Sequence, residues 1–369
     1  MRTVLSAGPA IVLAILGVLA LAAPWLAPYP PNEQTDTAVA RLRPPGASFH
    51  AIRLEHRWTL AEQVERTPDG IDYVRLGVAG SYRADEVRNL TAEGVADERT
   101  FRWGSDEFGR DILSRWLVGA RLSLGIGVLA VALALSLGVG IGALAGLGPR
   151  WLDGLLMRLV DALLAFPWFF LIIALAAIFP ITPMALAVLL GVSAWMPISR
   201  LARAEIQALR RREFILAARG LGVTELQILF RHILPNVWTP LVIQAALLMS
   251  SVILAEASLS FLGLGVQPPD ASWGTMIEAG RFQLSRAVWV VAFPAAGLVA
   301  TVLALNLLAD RLRDLLDPRL RTVDEIGSAA DPGATGSSAT QGDRHEEEEA
   351  EDHQRVDRHE GSGELEGAR

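Results

Sequence analysis

Apolar residues gather along this chain in six blocks that polar and charged segments separate. Each block reaches about the length of roughly 20 residues that a helix needs to cross a bilayer. The predicted spans cover residues 4–26, 122–147, 155–179, 184–201, 237–259 and 287–309. The fourth block is short and bracketed by Pro183 and Pro197, which predicts a tilted or irregular span. The pattern therefore predicts an all-α integral membrane protein with six transmembrane helices.

The polar segments divide this membrane framework into four regions. Residues 1–28 form a first transmembrane helix, and residues 104–321 form a core with five more spans. Between them, segment 29–103 is mixed in charge and rich in turn residues, and the alternation at 73–78 is typical of a strand. We expect a small strand-bearing extracytoplasmic insert there. Segment 322–369 is rich in Gly, Ser, Asp and Glu, which predicts a disordered acidic cytoplasmic tail.

Arginines in the short loops indicate the orientation. They occur at Arg150 and Arg158 after the second span, throughout 200–231 after the fourth, and throughout 311–321 after the sixth. Cytoplasmic loops carry an excess of positive residues. Because these three regions share one side of a six-span protein, we expect that side to be the cytoplasm, with both termini there. The chain is predicted to be a multi-pass protein of a bacterial-type inner (plasma) membrane.

Composition removes several classes of function. The chain has no cysteine, which excludes disulfides, thiolate zinc sites and cysteine nucleophiles. It has no lysine, so a Walker-type phosphate loop cannot be built. The spans contain no histidine and no recognisable serine and base motif, which argues against an intramembrane hydrolase. We expect no catalytic, cofactor-binding or metal-binding residues and no nucleic-acid partner.

The basic loop 203–236 predicts a helix–turn–helix elbow. Its first helix shows apolar positions at i, i+3, i+4 and i+7, and they are Phe214, Ala217, Ala218 and Leu221. Gly220 and Gly222 end this helix. Thr224 and Gln227 form a capping box for a second helix, which we expect to break at Pro235.

The apolar face of the first helix is small. An amphipathic helix that lies on lipid usually carries Leu, Phe or Trp, whereas Ala and Gly predominate here. Small side chains allow the backbone of a partner to approach, as when a helix sits in a groove. The pattern favours docking on a partner protein, and binding to a lipid surface is the alternative.

Four segments together resemble one family of membrane proteins. They are 104–115 (GSDEFGRDILSR), 213–236 (EFILAARGLGVTELQILFRHILPN), 255–269 (AEASLSFLGLGVQPP) and 306–319, which ends in LDPR. In this order they are similar to the motifs of inner-membrane permeases of binding-protein-dependent ABC importers, in the dipeptide/oligopeptide/nickel branch. The resemblance implies a type I ABC importer permease fold with a periplasmic insert after the first helix. The insert at about 41–99 and the acidic tail fall outside it.

The resemblance implies that the elbow is a coupling helix seated in the ATP-hydrolysing subunit. The residues assigned to this coupling are Glu213, Phe214, Ala217, Ala218, Leu221, Gly222, Leu234 and Pro235. Two positions depart from the family motif: Leu216 replaces its glutamate, and His232 replaces an isoleucine. The implied partners are a second homologous permease in a heterodimer, two cytoplasmic ATP-binding subunits, an extracytoplasmic solute-binding protein and membrane lipid. This subunit would itself be no enzyme.

Ionisable residues occur at two places within the predicted spans, and we expect a different role for each. Glu256, near the outer end of the fifth span, is a candidate contact for cargo or the binding protein, with a structural helix-end role as the alternative. Arg158 and Asp161 are spaced for an ion pair one turn apart.

The cargo remains open at this point. Within the resemblance, di- or oligopeptides are expected, and nickel or another small solute is the alternative. A different class, an ATP-independent secondary transporter, would need polar residues inside several spans, and these are scarce.

Overall fold

The computed structural model describes residues 2–55, 57–92, 94–95, 97–179 and 181–316, so the predicted tail at 322–369 lies outside the described residues. Within this part of the chain, five helices are long and apolar enough to cross a membrane. They are α1 (Arg2–Leu26), α3 (Ile112–Leu147), α6 (Pro183–Leu209), α9 (Leu234–Phe261) and α11 (Trp289–Leu316). A bent pair, α4 (Arg150–Leu164) and α5 (Trp168–Ile178), makes a sixth candidate. The helical membrane framework is confirmed.

The irregular span is the third and not the fourth. Helices α4 and α5 meet at 63°, so the span predicted at 155–179 is a bent helix pair and not one straight helix. The break lies next to Pro167, which precedes α5 and disfavours a helical backbone at the residue before it. The irregularity predicted for the fourth span was wrong. Pro183 occupies the first turn of α6, where its missing N–H costs nothing, and the helix runs on through Pro197.

Helices α3 and α6 pack closely because glycines line their contact. A Cβ atom added to Gly138 would lie 2.6 Å from the Ile198 side chain. One added to Gly142 would lie 2.7 Å from Ala202 Cβ. Such spacing of small residues lets helices approach in lipid, where dispersion contacts and not exclusion of water stabilise the pair. The α3–α6 pair is thus a rigid frame for the elbow that follows α6.

The insert between α1 and α3 contains the short helix α2 (Thr37–Ala40) and antiparallel strands. One sheet has the order β2 (Trp58–Ala61), β1 (Ala47–Arg53) and β8 (Glu98–Phe101). The other has the order β3 (Gln63–Thr67), β4 (Gly70–Arg75) and β5 (Val78–Arg83), and β6 (Leu90–Thr91) pairs with β7 (Gly94–Val95). Buried Phe49, Leu60 and Phe101 lie in one small core, and Ile52 and Ile71 lie in a second.

The alternating run at 73–78 is a hairpin and not one strand. Strand β4 ends at Arg75 and β5 begins at Val78. Leu76 and Gly77 between them have φ of 53° and 74°, the pattern of a two-residue hairpin turn that matches strand twist. The strands predicted for the insert are present, but the chain reverses in the middle of the predicted one.

Segment 104–115 joins the insert to the helices. Asp106 Oδ1 accepts hydrogen bonds from the backbone N–H groups of Phe108 and Arg110, both at 2.9 Å. Asp111 caps α3 by accepting from Ser114 N–H at 2.7 Å. From α11, Trp289 Nε1 donates to Ser105 O at 3.3 Å. This motif is therefore a folded joint between the insert, α3 and α11.

Candidate coupling site

The elbow begins with α7 (Glu213–Gly220) and turns at a glycine. Gly222 has φ of +80°, a left-handed conformation that glycine adopts without strain. Its N–H donates to Arg219 O at 2.9 Å, and Val223 N–H donates to Ala218 O at 3.2 Å. These bonds satisfy carbonyl groups at the C-terminal end of α7, as is common where a glycine ends a helix.

The second arm starts with the predicted capping box. Thr224 Oγ1 accepts from Gln227 N–H at 3.4 Å, and Gln227 Oε1 accepts from Thr224 N–H at 3.3 Å. Helix α8 (Glu225–Ile228) follows.

The break predicted at Pro235 is wrong, because the chain continues without interruption into α9. A five-residue π-helical stretch, Leu229–Ile233, carries the chain across, and Leu234 N–H donates to Leu229 O. Pro235 then falls in the first turn of α9, where a missing donor is tolerated. The elbow is thus directly continuous with a membrane span.

The predicted small face of α7 points mostly outward. Phe214 is 48% exposed and Leu221 is 84% exposed, and Ala217 is exposed between them. Ala218 is half-buried against the core that α3, α6 and α9 share. Glu213 is exposed, Leu234 is half-buried and Pro235 is exposed.

Three isoleucines anchor the elbow and were missed at the sequence level. Ile215, Ile228 and Ile233 are fully buried in the same core as Ile198 and Ile206 of α6. A signal was available for Ile215 alone, a β-branched residue on the side of α7 away from Phe214, Ala217 and Leu221. The elbow is therefore tied to the spans through the packing of these buried side chains.

Ion pairs add a second set of ties. Arg219 of α7 binds Glu225 of α8 through two hydrogen bonds of 2.6 and 2.9 Å, which join the two arms of the elbow. Asp161 of α4 pairs with Arg200 of α6, so the ion pair predicted between Arg158 and Asp161 was wrong. The spacing of residues along α4 could not predict this ion pair, because its two members lie on different helices.

Glu256 lies inside the protein and not at a surface. Its side chain is fully buried, and it accepts hydrogen bonds from Ser123 Oγ of α3 at 3.1 Å and from Ser260 Oγ at 2.9 Å. Ser123 Oγ also accepts from the N–H of Trp273, the first residue of α10 (Trp273–Gly280), at 3.3 Å. The carboxyl therefore links α3, α9 and α10.

Two family profiles match this chain. The profile described as a binding-protein-dependent transport system inner membrane component matches residues 138–322. The chain belongs to this family. A second profile, the N-terminal TM domain of oligopeptide transport permease C, matches residues 10–45. The strands β1 to β8 of this permease fall outside both matched ranges.

Individual relatives agree with the profiles. This permease is 41% identical over 221 residues to the di/tripeptide transport system permease protein DppC of Pseudomonas aeruginosa (strain UCBPP-PA14), covering 60% of this chain and 73% of that protein. It is 43% identical over 252 residues to the dipeptide transport system permease protein DppC of Alkalihalophilus pseudofirmus, covering 68% and 81%. A chain of the inward-facing MetNI methionine ABC transporter is 20% identical, with a TM-score of 0.45 over 56% of this chain and 97% of that one. The two family profiles and the two peptide permeases confirm the predicted family.

Proposed function

We propose that this permease is the membrane-spanning subunit of an ATP-driven importer of di- or oligopeptides. Both relatives described above are named as peptide permeases. The match with this chain covers most of the length of each of them. A soluble binding protein would deliver the peptide on the extracytoplasmic side. A second homologous permease and two cytoplasmic ATP-binding subunits would complete the complex in the inner membrane.

The observation that carries the ATP-driven mechanism is the geometry of the elbow. Phe214, Ala217 and Leu221 are exposed on one side of α7, while Ile215 is buried on the other. Coupling between distant sites needs an element that both sites can bias. An exposed face for an ATP-binding subunit and a buried anchor in the spans meet this requirement.

The remaining assigned residues extend the same proposal. Glu213, Ala218 and Gly222 shape α7 and its turn, and Leu234 and Pro235 would pass its motion into α9. For Glu256, the buried hydrogen bonds favour the structural role over contact with cargo or binding protein. The insert is proposed to face the extracytoplasmic side, and both termini the cytoplasm.

Transport in reconstituted vesicles tests the proposal. The complex, purified with its ATP-binding subunits, is placed in vesicles with the binding protein outside, and uptake of a radiolabelled dipeptide is measured. We expect uptake that needs ATP and binding protein and survives collapse of ion gradients. Uptake driven by an ion gradient, in particles without any ATP-binding subunit, would instead support a secondary transporter.

The same vesicles separate the candidate cargoes. Labelled nickel or an unrelated small solute replaces the dipeptide, and unlabelled dipeptide is added as a competitor. Dipeptide uptake without nickel uptake supports the peptide assignment. ATP-dependent nickel uptake that dipeptide leaves unchanged would support the alternative cargo and leave the importer mechanism intact.

A further inference from the structure

A positively charged cavity lies beside the coupling helix. It has a volume of about 570 Å³ and is lined by the end of α3, the start of α4, the end of α6 and one side of α7. Four arginines reach it, and they are Arg150, Arg210, Arg211 and Arg219. Asp153 is the carboxylate that lines it among the described residues.

The charges around this arginine cavity do not balance. Asp153 is already engaged by Arg203 through two hydrogen bonds and by Gln207 Nε2 at 3.1 Å. Arg219 is likewise engaged, by Glu225. Neither of these ion pairs neutralises the positive charges of the other three lining arginines, Arg150, Arg210 and Arg211.

None of those three arginines forms an ion pair with a carboxylate in the part of the chain that the structure describes. Arg210 does interact electrostatically with Glu225, whose pKa is lowered chiefly by the hydrogen bond from Arg219 and further by the charge of Arg210. Arg210 Nη1 donates only to a backbone carbonyl, Gly146 O, at 2.6 Å. Arg150 and Arg211 are exposed, and no described carboxylate binds them. Like charges held around one cavity repel, and an anion that enters it relieves that repulsion.

Leu216 forms part of the wall on the α7 side. It is 52% exposed, and it stands where the motif of the resembled family has a glutamate. A glutamate at 216 would supply a carboxylate to these arginines from within the chain. With leucine at 216, the part of α7 that lines the cavity contributes no carboxylate.

We propose that the arginine cavity receives an aspartate or glutamate side chain of the ATP-binding subunit. This rests on the proposed function, because the cavity adjoins the face of α7 assigned to that partner. Guanidinium groups bind carboxylates through charge-assisted, often bidentate hydrogen bonds. The cavity is lined by glycine, arginine, aspartate and glutamine residues, and its apolar side chains are those of Ala145 and Leu216. A phospholipid headgroup would need an apolar path for its acyl chains, which this lining does not provide.

Three variants of the full complex test the assignment through the affinity of the ATP-binding subunits for the permease. Leu216→Glu fills the cavity with a carboxylate of the chain itself, and Arg211→Gln removes one cation. We expect each to weaken association about tenfold, as loss of a charged interfacial pair does, and to flatten its salt dependence. Leu216→Gln, which matches Glu in size without its charge, should bind nearly as wild type. Because both positions are exposed, folding should be unaffected.

The outcomes discriminate between sources of the anion. Unchanged or tighter association in Leu216→Glu, or unchanged association in Arg211→Gln, would overturn the proposal. So would an Arg211→Gln effect that appears in phosphatidylglycerol vesicles but not in pure phosphatidylcholine, since that marks a lipid site. If Ala217→Arg lost binding while the variants at 211 and 216 bound normally, the proposed coupling role of α7 would stand. Only the proposed role of the arginine cavity would be refuted.

Discussion

Glu256 illustrates how a single residue changed meaning between sequence and structure. A carboxyl inside a span is a functional candidate because burying one is expensive. In the structure the cost is offset by hydroxyl donors from Ser123 and Ser260, and no described arginine approaches it. Sequence could place Glu256 near the end of a span. It could not show that serines from α3 and α9 converge on it, because Ser123 and Glu256 are 133 residues apart.

Truncating Glu256 should destabilise the contact between α3, α9 and α10. Glu256→Ala leaves two buried hydroxyls without an acceptor and opens a cavity, at a cost of about 2–4 kcal/mol. Glu256→Gln keeps one carbonyl acceptor and should cost less. Thermal unfolding of the purified permease measures this. Ser258→Ala, at an exposed position of the same helix, is the matched control. Equal melting temperatures for Glu256→Ala and the control would contradict the structural role.

At the scale of elements, the sequence predicted part of what local chemistry decides and missed what tertiary packing decides. Gly222 and the Thr224–Gln227 capping box follow from neighbouring residues, and both are present. The π-helical stretch before Pro235 was missed because the core that Ile233 packs into is formed by distant segments of the chain. The bend next to Pro167 was missed although its cause is local, because the apolar block continues on both sides of the proline. The hairpin at Leu76 was hidden because leucine seldom adopts a positive φ.

A partly buried ion pair links the two sheets of the insert. Asp36 accepts from Arg75 Nη2 at 2.9 Å and Nε at 3.1 Å, and from Leu60 N–H at 3.1 Å. Burial by itself raises the pKa of Asp36, but the bonds and charge of Arg75 and the bond from Leu60 together hold that pKa below its ordinary 3.8. The ionised carboxylate therefore stabilises the folded insert. This stabilisation is present above pH 3.8 and is lost as the pH falls through the lowered pKa.

Asp36→Asn should loosen the insert by about 1–3 kcal/mol near neutral pH, because a hydrogen-bonded charge is lost. Hydrogen exchange in β2, read by mass spectrometry, should accelerate, and the difference from wild type should shrink at acid pH. Asp85→Asn, at an exposed turn of the same insert, is the control. If β2 exchanged equally in both variants at neutral pH, the pair would have no such role.

At the scale of the whole molecule, the elbow and the insert are predicted to lie on opposite sides of the membrane. The chain has no cysteine, so single cysteines report sidedness without background. Val78 in the insert is 69% exposed and Leu221 in the elbow is 84% exposed, which makes both positions accessible to a label.

In intact cells, an impermeant maleimide should label Val78→Cys if the outer membrane is permeabilised, and should spare Leu221→Cys. Disruption of the inner membrane should then expose Leu221→Cys, because an excess of arginine in short loops predicts that those loops face the cytoplasm. Labelling of both positions from the same side would contradict the six-span topology.

The most direct measurement of the central claim is ATP-driven dipeptide uptake by the Ala217→Arg permease in reconstituted vesicles. Ala217 is exposed on α7, so a bulky cation there should block docking on the ATP-binding subunit while the protein still folds and inserts. Ala217→Ser is the matched control. We predict that Ala217→Arg loses nearly all ATP-coupled uptake at unchanged membrane yield and that Ala217→Ser keeps it. Wild-type uptake by Ala217→Arg would contradict the coupling role of the elbow.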